Sequence, residues 1–141
     1  MKPLRVGVIG AGRIGVLHAR HLAFRIPEAE VIAVSDIRRD AAKRCAEECR
    51  VPKIYDDPRR LMEDKEIEAV IICSSTDTHT EFIEYAAENG KHIFCEKPLD
   101  VDLERIDRAI RAADKAGVKL QVGFNRRFDP NFARVLSLIH I

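Results

Sequence analysis

Gly10, Gly12 and Gly15 stand at the spacing G-x-G-x-x-G, with Ala11, Arg13 and Ile14 between them. Glycines so spaced suit a pyrophosphate: the first permits a tight turn, and the second admits the backbone close to the phosphates. The third lets a helix pack closely on a strand. A helix opening there offers free N–H groups and a partial positive charge to an anion. Asp36 follows Gly15 by about 20 residues, where a carboxylate accepts hydrogen bonds from adenosine ribose hydroxyls. It also repels a 2′-phosphate, so NAD is expected over NADP. Arg38, followed by Arg39, pulls the other way, because a guanidinium can pair with a phosphate. Arg38 therefore stands with Gly10, Gly12, Arg13, Ile14, Gly15 and Asp36 as a candidate cofactor contact. The plain alternative is a tight turn and an acid in an ordinary loop. Methyltransferases also carry a glycine loop after their first strand, but usually lack the third glycine.

Two further segments carry chemistry. Ser74, Ser75 and Thr76 offer hydroxyls and backbone groups to a pyrophosphate or a ribose. Their alternative role is capping the next helix, a job that also suits Thr78. Lys97 is the candidate catalytic residue: an ammonium can hydrogen-bond a substrate hydroxyl and stabilise the alkoxide that develops as hydride leaves. Glu96 beside it would bind ribose or fix the lysine. His79 either faces the cofactor, and so counts among its contacts, or is a polar residue of a helix's first turn. His18, His21 and His92 lack ligand-like spacing and read as structural or solvated, and no metal site is expected.

These residues need a scaffold, and the chain alternates short β-branched runs with helical patterns. Val6–Ile9, Val31–Val34, Ile54–Tyr55, Ala69–Cys73 and His92–Cys95 read as strands, and Val118–Val122 as a half-exposed edge strand. Helices are expected near 13–24, 40–48, 58–61, 80–89 and 103–116, the last with a stripe of Leu103, Ile106, Ile110 and Ala113. Asp57 before Pro58 reads as an N-cap, and Gly90 and Gly117 as helix stops. Repeated βαβ units mean a parallel sheet with right-handed crossovers. The expected fold is α/β, a doubly wound, Rossmann-like sheet in three layers. Ligands then lie across the carboxyl ends of the strands, where the glycine loop, Ser74–Thr76 and Glu96–Lys97 all project.

The 141 residues suit one domain with a core. With Lys plus Arg at 24 and Asp plus Glu at 23, nothing favours a nucleic-acid or anionic-membrane partner. No apolar run approaches the roughly 18 residues of a membrane span. The start, Met1-Lys2-Pro3-Leu4, leads straight into a strand, so a cytoplasmic location is expected. Cys45, Cys49, Cys73 and Cys95 form no CxxC pair and read as reduced small hydrophobes.

VGVIGAGRIG, Asp36, SSTDTHTE, FCEKPLD and VQVGFNRRFDP, in this order, resemble the Gfo/Idh/MocA oxidoreductases, most of all those acting as inositol 2-dehydrogenases. The likeness covers residues 4 to 135, and EKP with GFNRRFDP is far more specific than the glycine loop. It implies NAD held by Gly10 to Gly15 and Asp36, and Lys97 touching both the cofactor's reactive end and the substrate. Asn125 and Arg126 would border the substrate; their alternative is a solvated loop. The Lys97–Pro98 bond is expected cis. The implied reaction oxidises a ring hydroxyl of a cyclitol or sugar, such as myo-inositol, to a ketone. In this family the base is a histidine supported by an aspartate, on a second α/β domain that also carries the oligomer interface.

Residues 1–123 are thus expected to be the dinucleotide-binding domain, and 124–135 the start of a connection to a catalytic domain that is absent. The final LSLIHI departs from the family pattern. The codons CTG TCT CTT ATA CAC ATC would encode it, and that string matches a transposase mosaic end used in library preparation. Residues 136–141 are expected to be a non-native tail, so His140 is not the missing base. The fragment is then expected to hold cofactor without turnover. Two other readings stand beside it: a free-standing NAD-binding module or subunit, and a bare Rossmann domain that binds nothing.

Overall fold

The central strands form where β-branched residues run together, and their sheet packs between helices on its two faces. The computed structural model describes residues 2–139. The strands are β1 (Leu4–Ile9), β2 (Ala29–Ser35), β3 (Lys53–Tyr55), β4 (Ala69–Ile72), β5 (His92–Cys95) and β6 (Leu120–Val122). They form one six-stranded sheet in the order β3-β2-β1-β4-β5-β6. All five pairings are parallel. The chain order reverses between β1 and β4, and that switch point opens the crevice used by ligands of such sheets.

The helices are α1 (Arg13–Arg25), α2 (Arg39–Cys49), α3 (Pro58–Glu63), α4 (Thr76–Glu88), α5 (Leu103–Ala116) and α6 (Pro130–Ile139). A 3₁₀ turn spans Asn125–Phe128. The pleat sends neighbouring side chains to opposite faces. Val8, Val31 and Val34 pack with α1 and α2 through Ala19, Ala42 and Cys45. Ile9, Ile32, Val70 and Ile72 pack with α3, α4 and α5 through Leu61, Ile83 and Ala109. The β4 run is accordingly apolar on both faces.

Local chemistry sets the ends. The Asp57 side chain accepts from the Arg59 backbone N–H at 2.9 Å, with Pro58 opening α3. Asp102 does the same for α5, accepting from Glu104 N–H at 2.8 Å. Gly90 and Gly117 both take φ +69° just beyond α4 and α5.

Two expectations fail. The helix expected from Thr80 begins at Thr76, so Thr78 is not its cap. Its cap position is Ser75, and the Thr78 hydroxyl donates to the Ser75 carbonyl at 2.7 Å from inside the first turn. The hydroxyl-rich first turn carries no apolar period to mark it. On α5, Leu103 is 78% exposed, while Ala109 and Ala113 are buried. Small alanines, rather than the larger aliphatics, are the buried positions of this helix.

Cys45, Cys49 and Cys95 are buried, and all four cysteines are free. Burial pushes the thiols of Cys45, Cys73 and Cys95 up to about 12, so none is a ready nucleophile. Among the described residues no helix is long and apolar enough to cross a membrane.

Candidate cofactor and reaction site

β1 ends at Ile9, and the chain turns sharply through Gly10 at φ +94°. A Cβ on Gly10 would lie 2.5 Å from the Cys73 carbonyl oxygen, and one on Gly15 only 1.7 Å from the Gly10 carbonyl oxygen. These two glycines let β1, β4 and α1 meet. Gly12 differs, since a Cβ there would meet nothing within 4 Å. It is the N-cap of α1, no side chain caps that end, and no acid lies in its first turn. Its N–H groups and the open space before them fit a pyrophosphate. Arg13 and Ile14 are exposed on the first turn beside it.

Asp36 follows β2 with its carboxylate reaching across to this loop. Oδ2 accepts the Ala11 backbone N–H at 2.6 Å, and Oδ1 accepts that of Arg38 at 2.8 Å. The Arg38 guanidinium lies 3.9 Å from Oδ1. A cleft of about 510 Å³ runs beside this acid, lined by Gly10, Gly12, Asp36, Ser74, Ser75 and Phe82 among others. Ile37, 98% exposed, also borders it. Ser35 Oγ is buried in the same wall with no hydrogen-bond partner. An uncapped helix start, an open glycine cradle and a nearby acid together suit a dinucleotide.

Ser74 and Ser75 reach the cleft, and Ser74 Oγ pairs with Thr78 Oγ1 at 2.7 Å. Thr76 serves as the first residue of α4. His79 departs from the expected role of a cofactor contact. Its ring is 2% exposed. Nδ1 lies 2.8 Å from the Pro98 carbonyl oxygen and Nε2 3.0 Å from that of Ser74. Both nitrogens are occupied, so the ring joins the two loops that follow β4 and β5.

The loop after β5 is pinned along its length. The Lys97–Pro98 bond is cis. Thr80 donates its hydroxyl to Asp100 at 2.8 Å, and Arg105 lies 3.3 Å from the same carboxylate. The Thr80 hydroxyl is the main cause that holds Asp100 below the usual carboxylate range. Lys97 itself is exposed and lines a cavity of about 570 Å³ with Phe124, Asn125, Arg126 and Arg127. The sequence candidates Lys97, Asn125 and Arg126 are thereby brought together.

Sequence reading missed His18. It lies on α1 with Nε2 2.8 Å from Glu96 Oε1, a partner 78 residues away. No local pattern signals a contact of that separation. His92, by contrast, accepts the Lys119 backbone N–H at 3.1 Å and is structural.

A family model described as an oxidoreductase family with NAD-binding Rossmann fold, GFO_IDH_MocA, matches residues 4–124. Myo-inositol 2-dehydrogenase of Thermotoga maritima is 48% identical over 136 residues, covering 96% of this chain and 40% of that protein. The NAD(+)-dependent scyllo-inositol 2-dehydrogenase of Bacillus subtilis is 44% identical, over 92% of this chain and 38% of that protein. The crystal structure of scyllo-inositol dehydrogenase from Lactobacillus casei with NAD(H) and scyllo-inositol superposes with a TM-score of 0.92 at 31% identity. It covers 99% of this chain and 41% of that one. The chain thus spans about 40% of the length of the curated relatives it matches. Fold, loop chemistry and these likenesses agree: the chain belongs to the Gfo/Idh/MocA oxidoreductase family, in its NAD-binding Rossmann domain.

Proposed function

We propose that this chain is the cofactor-binding half of an NAD-dependent dehydrogenase that oxidises a ring hydroxyl of a cyclitol or sugar to a ketone, with myo-inositol as the first substrate to test. The observation that carries this reading is the joint lining of one cavity by Lys97, Asn125 and Arg126, at the strand ends that also hold the glycine loop. NAD, when bound, supplies the hydride acceptor.

The α1 N-terminus and Gly12 receive the pyrophosphate, and Asp36 takes the adenosine ribose. Asp36 already accepts two backbone N–H groups, and a carboxylate retains lone pairs for ribose hydroxyls. A 2′-phosphate brought against it would be repelled, which favours NAD over NADP. Ser74 and Ser75 border the pyrophosphate and nicotinamide-ribose stretch, and Glu96, whose carboxylate accepts the Lys97 backbone N–H, fixes the lysine at the nicotinamide end. Lys97 donates to the substrate hydroxyl and stabilises the alkoxide as it forms. Asn125 and Arg126 orient the substrate. The base that takes the hydroxyl proton belongs to the catalytic domain outside this chain, and that domain carries the oligomer contacts. Residues 1–123 are the cofactor domain and 124–135 the connection onward. Residues 136–141 are a non-native tail in this reading, although α6 runs from Pro130 to Ile139 with no break at Val135. His140 lies outside the described residues. A cytoplasmic location fits the use of NAD.

The test is the complete gene. The frame past codon 135 is to be read from an independently prepared library, expressed, and assayed for NAD⁺ reduction with myo-inositol. Turnover is expected, and Lys97→Ala is expected to lower kcat about 100-fold or more. A confirmed stop after codon 141, or a Lys97→Ala enzyme with unchanged kcat, would contradict the proposal.

A further inference from the structure

Three parts of the chain converge on the Glu96 carboxylate. Oε1 accepts a hydrogen bond at 2.8 Å from Nε2 of His18 on α1. Oε2 accepts the backbone N–H of Lys97 at 3.2 Å. Gly123, just past β6, leaves the room this requires: a Cβ there would lie 3.2 Å from both Cδ and Oε1 of Glu96. The side chains of His18 and Glu96 are 28% and 20% exposed, so water competes only partly for their bond. The His18 ring also meets Phe94 edge-on, with centroids 5.1 Å apart.

We propose that His18 is a positioning residue for the nicotinamide end of the site: it holds the Glu96 carboxylate on the Lys97 backbone and so fixes the loop that presents Lys97. The proposal rests on the reading of this crevice as the cofactor site. Its logic is the division of one carboxylate between two partners. A free glutamate has three rotatable bonds and no reason to stay on the next residue's N–H. With Oε1 tied to α1, rotation is arrested and Oε2 stays on Lys97. The Arg44–Asp40 pair, by contrast, joins two exposed side chains one helical turn apart and touches no loop of the crevice.

The effect of losing His18 is local. The far part of the loop is held separately, by His79 at Pro98 and by Thr80 at Asp100. The glycine loop is held separately again, by Asp36 on Ala11. Removing His18 therefore loosens the Glu96–Lys97 end and spares the adenosine end.

Calorimetric titration of this chain with NADH and with ADP-ribose, which lacks the nicotinamide, separates the two ends. The unsubstituted chain is expected to bind NADH more tightly than ADP-ribose. His18→Ala is expected to weaken NADH about tenfold, the size of one lost hydrogen bond to a charged group, with ADP-ribose unchanged within about twofold. His18→Gln keeps an N–H donor and is expected to recover most of the NADH affinity. A His18→Ala chain that keeps its preference for NADH overturns the proposal, as does equal loss of both ligands, which would mean that His18 merely holds the fold. An unsubstituted chain that binds both ligands equally overturns it too. Binding of neither ligand would instead overturn the reading of the crevice itself.

Discussion

The three glycines of the loop do different work, and substitution separates them. A Cβ on Gly15 would meet the Gly10 carbonyl oxygen at 1.7 Å, a backbone clash that no side-chain movement relieves. Gly15→Ala is expected to cost about 3 kcal/mol or more in urea denaturation. Gly12 meets nothing within 4 Å and has φ −74°, so Gly12→Ala is expected to unfold within about 0.5 kcal/mol of the unsubstituted chain. Its NADH affinity is nonetheless expected to fall at least about tenfold, since the methyl enters the phosphate cradle. A stable Gly12→Ala chain with full affinity would place the phosphates elsewhere. Such glycines are readable in sequence because each answers a local backbone demand. His79 and His18 are not, because their partners Pro98 and Glu96 arrive from other strands. Side-chain type alone left His79 between ligand and structure, and only its two occupied nitrogens decide.

Elements were legible where period and punctuation coincide. The β4 run, the Asp57-Pro58 start of α3 and the Gly117 stop of α5 all follow from local chemistry. The start of α4 did not, because a hydroxyl-rich first turn carries no apolar period. Between elements, a polar cluster fastens β3 to the end of α3. Asp64 accepts from Lys53 Nζ and Tyr55 OH, each at 2.8 Å, and from the Glu66 backbone N–H at 2.9 Å. The Lys53 ammonium first, with the other donors, holds the Asp64 carboxyl down from 3.8 to about 2. A depressed carboxyl contributes stability above its unfolded value and loses it as pH falls through the folded one. That contribution is expected to be about 1–2 kcal/mol at pH 6, allowing for partial solvent screening at Lys53. It should fade between about pH 4 and pH 2. Asp64→Asn should be less stable at pH 6 by that amount and nearly equal at pH 2, as read by urea denaturation. An equal gap at both pH values would remove the ion pair from the account.

At the scale of the molecule, the sheet and five helices form one buried body, and the segment after Gly123 stands apart from it. No residue from 124 to 139 is buried, and Phe128 is 76% exposed. Ending the chain at Gly123 is therefore expected to leave the unfolding free energy within about 1 kcal/mol, by urea denaturation, while removing the cavity wall opposite Lys97. A larger loss would show that the segment supports the core. The doubly wound architecture was legible from the alternation of strand and helix patterns, and the strand order bears it out. What completes the reaction centre was not, because the base and most substrate contacts are proposed to lie outside the chain. The central claim is that these residues hold NAD but do not complete the reaction alone. Its most direct test titrates NADH and NADPH against the 141-residue chain, then adds NAD⁺ and myo-inositol and follows absorbance. Saturable NADH binding, at least about tenfold tighter than NADPH, with no NADH formed is the expected result. Absence of NADH binding, or turnover of myo-inositol by this chain, would contradict it.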